Sequence, residues 1–258
     1  QEMKDQLAGF QNLQTNAQKV VNDLVSQNSL PTFNFTNDQL NLTKSLVEDL
    51  NHIITTQSYG SNAADQSKYF SAWKDSMTIP GDSISNSELD KKFNSWKDTN
   101  PNDINEKIDM TNITSEQVQE LSLFTAALLN QIRQQLGIIE YTGTAKVTVG
   151  TVDLALQVAQ LSSQKNADWG HYIYVLKQAT YDHGLSSEPA TDKDDYTSGI
   201  NFYGESAQSG TTNLSMTMAR AKELIANAIS GMLFFDGYSD MGHTVAILGL
   251  YNISKEYS

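Results

Sequence analysis

The sequence predicts an α+β chain, on three observations. Capped, amphipathic helical segments recur along the length. Two short apolar runs, "AKVTV" at 145–149 and "HTVAILGLY" at 243–251, read as strands. In the C-terminal half the helices alternate with these runs instead of following them as a block.

Taken in order, Met3 to Leu24 reads as a helix with a heptad seam. Met3, Phe10, Ala17 and Leu24 fall seven apart, with Gln6, Leu13 and Val20 at the other seam position. This pattern suits either an ordinary amphipathic helix or the end of a coiled coil continuing upstream. Leu30-Pro31 breaks it, because proline forces an extended backbone on the residue before it. Thr36 or Asn37 then caps a helix through Ile54, with Leu40, Leu42, Leu46, Val47, Leu50 and Ile53 apolar. A polar loop at Ser58 to Ala63 precedes a short helical segment around Tyr69, Phe70 and Trp73. Thr78 to Asn112 is the least regular part. "TIPGDSISNSE" and "DTNPNDINE" are turn chemistry, with one or two helical turns between them at Leu89 to Trp96.

The strongest local signal follows. Thr114 or Ser115 caps "TSEQVQELSLFTAALLNQIRQQLG", and a Glu or Gln three residues on completes a capping box. Val118, Leu121, Leu123, Phe124, Ala127, Leu128 and Ile132 form a wide apolar face, and Gly137 closes the helix. Val152 to Leu161, Trp169 to Ala179 and Ala219 to Ser230 read as further helices. The expected organisation is a stalk-like helix over 1–30, a helical and loop elaboration over 31–112, and a main domain over 113–258.

Composition narrows the function classes. The formal net charge of −13 argues against nucleic acid and anionic lipid as partners, since both need a basic footprint. Cysteine is absent, which excludes disulfides, thiolate metal sites and a cysteine nucleophile. No apolar run reaches bilayer length. Charged residues are only 18% of the chain, with uncharged polar residues in their place, as is common in exported surface proteins. The opening at Gln1, with no signal-like segment, reads as a piece excised from a longer protein.

Four residues are candidates for chemistry: His183 in "TYDHGLSSE", Glu205 in "INFYGESAQ", Glu223 in "MARAKELIANA" and His243 in "YSDMGHTVAILGLY". Each has a plain structural reading: a turn histidine, a helix N-cap carboxylate, a solvated helix charge and a hydrogen-bonded histidine beside a strand. Together, two imidazoles and two carboxylates suit a divalent-metal site, for zinc or magnesium, or an acid–base cluster. Their spacing is too long for one helix to present them, unlike a local metal motif. His52 and His171 have no motif around them and read as structural.

The order of these pieces resembles the CAP superfamily, the cysteine-rich secretory, antigen 5 and pathogenesis-related 1 proteins. The residues that carry the resemblance are a helix ending "NQIRQQLG" with Asn130 and Arg133, His183 in "DHG", Glu205 in "YGESA", and His243 in "GHTVAIL". Glu223 is the best fit to the fourth member of the family's cleft tetrad. Two departures stand out: Ser206 replaces the usual Asn of the box, and "SGMLFFDGYSD" is an unusual insertion. The stretch "IDMTNITSEQVQELSLFTAALLNQIRQQLG" is similar to the CAP region of the surface-exclusion proteins of Gram-positive bacteria.

The resemblance implies a three-layer α-β-α sandwich with His243 at the start of a central strand and the tetrad lining a cleft. It implies a cell-wall-anchored, extracellular protein that limits redundant conjugative transfer or cell–cell contact. Its partner would be a surface adhesin or a protein of the mating apparatus, with a homodimer through the stalk. Two other functions compete: a metal-assisted peptidase using His183, Glu205, Glu223 and His243, and a lipid or wall-glycan binding module lined by Phe234, Phe235 and Tyr238. No serine sits in a nucleophile motif.

Overall fold

The computed structural model describes residues 30–45, 96–164, 173–185, 188–191, 214–234 and 242–249. The heptad segment, the aromatic segment around Trp73, Leu89 to Ser95, His52, His171, Glu205, Phe235 and Tyr238 lie outside them. Among the described residues the chain is mostly helical, with one small antiparallel sheet. Two compact units form. One draws on Lys97–Ala126 and Lys146–Ile225, the other on Ala127–Ala145 with described parts of Pro31–Trp96 and Ala226–Ser258.

Capping accounts for most helix starts. Helix α1 spans 37–45. Thr36 Oγ1 accepts from the Gln39 N–H at 3.2 Å, and Gln39 Oε1 accepts from the Thr36 N–H at 2.9 Å, a reciprocal box. Helix α2 (Pro101–Asn105) has Pro at its first position and the Asn100 side chain on the Asn102 N–H. Helix α3 (Ser115–Gln135) opens with the expected box between Thr114 and Gln117. A short helix, α4, covers Ile139–Thr142. Thr148 caps α5 (Val149–Gln164) through the Thr151 N–H. Helix α6 spans Ile173–Asp182, α7 spans Met218–Phe234 with Thr217 as its cap, and α8 spans Gly242–Leu248.

Two helices stop in the same way. The Ile138 N–H donates to Arg133 O and the Gly137 N–H to Gln134 O. The Leu185 N–H donates to Thr180 O and the Gly184 N–H to Tyr181 O. Both glycines have φ of 70°, the left-handed conformation of this terminating motif. "QLGI" and "DHGL" are therefore the same stop signal at the ends of α3 and α6.

The sheet pairs β1 (Lys107–Asp109) with β2 (Ser215–Thr217), with Ile108 opposite Met216. Flanking bonds from the Met110 N–H to Leu214 O and from the Met218 N–H to Glu106 O lengthen the ladder. Ile108, Ile113, Val118, Val152, Met218 and Ala221 form the core of the first unit, with Leu121, Val147 and Leu156 packed on it. In the second unit Phe33, Phe35 and Phe234 stack with ring centroids 5.4–6.5 Å apart.

Both expected strands are corrected. "AKVTV" is irregular chain that enters α5 at Val149. Its alternation has a different cause: Val147 packs on the core while Thr148 turns back to cap the helix. "HTVAIL" is α8, and Gly249, with φ of 76°, ends it. An apolar run this short satisfies either period, so pattern alone does not separate buried helix from buried strand.

Candidate functional site

His183 is the residue just before the left-handed glycine of α6. Its backbone N–H donates to Ala179 O at 3.2 Å, and its ring Nδ1 lies 2.9 Å from the same carbonyl. A carbonyl only accepts, so Nδ1 carries the hydrogen, and in the neutral ring Nε2 holds the lone pair. That tautomer is also the one a metal-binding histidine adopts. The preceding Asp182 is held by the amides of Gln157 and Gln178.

Glu223 lies on α7 with its side chain 13% exposed. Its Oε2 accepts from Lys97 Nζ at 3.2 Å and Arg220 Nη1 at 3.0 Å. The carboxylate is thus committed to two cations, which a metal would have to displace. His243 is the second residue of α8 and half-buried, at a helix start and not at the mouth of a strand. Thr244 beside it donates to Met232 O at 2.8 Å and is fully buried. Among the described residues no group of three His, Asp or Glu is placed to hold a metal, and Glu205 lies outside that set.

Asn130 and Arg133, the two helix residues of the resemblance, serve as backbone clamps. Asn130 receives the Ala145 N–H at 2.7 Å and donates to Ala145 O at 3.0 Å, closing the loop after α4. Arg133 donates through Nε to Ile247 O at 3.1 Å and through Nη1 to Gly143 O at 3.2 Å. Arg133 therefore grips the last turn of α8, one helical turn beyond His243. Burial lowers its pKa from the usual guanidinium value, and the carbonyls at a helix C-terminus offset part of that cost. Gly249 fits tightly here: a Cβ on it would stand 3.0 Å from the Arg133 guanidinium.

Phe234 is 1% exposed and stacked on Phe33 and Phe35, so it is a core residue and not a ligand-lining one.

One cluster escaped the sequence reading. Lys222, on α7, is buried and donates to Asp103 Oδ2 at 2.5 Å and Glu120 Oε1 at 2.7 Å. Its ammonium also lies 6.0 Å from the centroid of the Phe124 ring. Burial drives the Lys222 pKa down, but the bonds to Asp103 and Glu120 outweigh it and leave the group above the ordinary lysine value. The cue available in the sequence was a lysine in the apolar register of α7, between Ala221 and Ile225.

No protein-family model matches the chain, and neither does any curated protein or solved structure.

Proposed function

We propose that this chain is the CAP-like part of a Gram-positive surface-exclusion protein, which acts at the cell wall by blocking contact and not by cleavage. The identity rests on the resemblance around Asn130, Arg133, His183, Glu205 and His243. The three-layer sandwich, the wall anchor, the stalk dimer and the adhesin or mating-apparatus partner belong to that proposal. The observation that favours contact over metal-assisted cleavage is the engagement of Glu223 by Lys97 and Arg220. A carboxylate already paired with two cations is a poor metal ligand, because a metal would have to displace both.

The test is donor-to-donor plasmid transfer with the wall-displayed protein. Exclusion is expected to persist in His183→Ala/His243→Ala at wild-type surface levels. Calorimetric titration with zinc or magnesium is expected to show no saturable site that the double variant loses. Loss of exclusion together with loss of a metal site would overturn the contact reading in favour of the peptidase.

A further inference from the structure

Asp98, Asp103 and Lys222 are 7%, 5% and 5% exposed, and the Glu120 side chain is 28% exposed. Four charged groups from the turn before α2, from α2, α3 and α7 thus converge in the first unit. Their charges do not balance, because one ammonium faces three carboxyls. Lys222 is spent on Asp103 and Glu120. Asp98 forms no ion pair of its own among the described residues, so its buried carboxyl faces that of Asp103 without a counter-charge of its own. A buried carboxyl in that position favours its neutral form, because burial penalises the ionised one. Asp98 Oδ1 accepts the Asn100 N–H at 2.9 Å, which leaves the other oxygen for the proton. Lys97 and Arg220 pair with Glu223, so the cation that acts on Asp98 is Lys222.

We propose that this cluster is a proton-operated latch, holding the 97–105 segment on α3 and α7 most firmly when the Asp98 carboxyl is protonated. The latch is independent of the surface-exclusion reading. Burial, reinforced by the neighbouring Asp103, pushes the Asp98 carboxyl up to about 6. A folded-state pKa above the unfolded one favours the protonated, folded form. The contribution is therefore full below the unfolded value near 3.8 and lost as pH rises through about 6. Proton loss puts a second uncompensated negative charge beside Asp103, inside the fold.

The experiment is urea unfolding of the full chain from pH 3.5 to 8, comparing wild type with Asp98→Asn. The amide mimics the protonated carboxyl and keeps a donor toward Asp103. The two proteins are expected to converge at the acid end. Toward pH 8 the variant is expected to gain up to about a hundredfold in folding equilibrium constant over wild type. Parallel pH profiles would overturn the latch. A second readout, the assigned Asp98 carboxyl carbon of the wild type followed by NMR, decides the matter even if the variant does not fold. A midpoint about 6 supports the latch, and one about 4 overturns it.

Discussion

Two buried cations among the described residues are satisfied in opposite ways. Lys222, in the first unit, faces ionisable side chains: Asp103, Glu120 and, through Asp103, Asp98. Arg133, in the second, faces backbone carbonyls, those of Gly143 and Ile247. The side chains suit the tasks. An ammonium is a compact point charge that several carboxylates can share, whereas the planar guanidinium spans two fixed acceptors at once. The cluster around Lys222 responds to pH, because the Asp98 carboxyl in it is pushed up to about 6. A cation held by carbonyls responds only to backbone position. The first unit's cation therefore carries a chemical sensitivity, and the second unit's carries a geometric one.

The sharpest way to break this comparison is to remove each cation. Lys222→Ala leaves Asp103 buried without its counter-charge, and a loss of about 3–5 kcal/mol in urea unfolding is expected at pH 7. That loss should shrink as pH falls through about 6, where Asp98 in the same cluster becomes neutral and needs the ammonium less. Arg133→Ala removes two charge-assisted bonds to carbonyls, for an expected loss of about 2–3 kcal/mol. It should be the same at pH 5 and pH 8, and Arg133→Lys should recover little, since an ammonium lacks the fork. A pH-dependent loss in Arg133→Ala would erase the distinction.

Smaller effects sharpen the geometric side. Gly249→Ala meets both a left-handed φ and the guanidinium 3.0 Å away, so about 2 kcal/mol is expected from thermal or urea unfolding. Gly137→Ala has a left-handed φ of 70° but open space around its Cβ, and about 1 kcal/mol is expected. If the two cost the same, the tight seat of Arg133 against Gly249 contributes nothing.

Local features were largely legible. The capping boxes at Thr36 and Thr114 and the stop at Gly137 all lie where the residue types place them. "DHG" was legible as a turn, and the structure makes it the end of α6, a backbone role that accounts for His183 without invoking a metal. The turn chemistry of "DTNPNDINE" was legible too: Asp98 accepts from Asn100 and Asn100 from Asn102. The burial of Asp98 and Asp103 was not, because their partner Lys222 is 119 residues from Asp103 in sequence. The sheet was missed because β1 and β2 are three residues each, too short to show a period.

By itself the sequence determined where most described helices start and stop, since a cap or a left-handed glycine acts through hydrogen bonds within about one turn. It also determined the acidic balance that argues against nucleic acid. Only the tertiary structure decided that "HTVAIL" is a helix, because so short an apolar run fits either period until its neighbours are in place. Only the tertiary structure brought three carboxyls to one lysine, because the energy of a charge depends on burial and on partners remote in the chain.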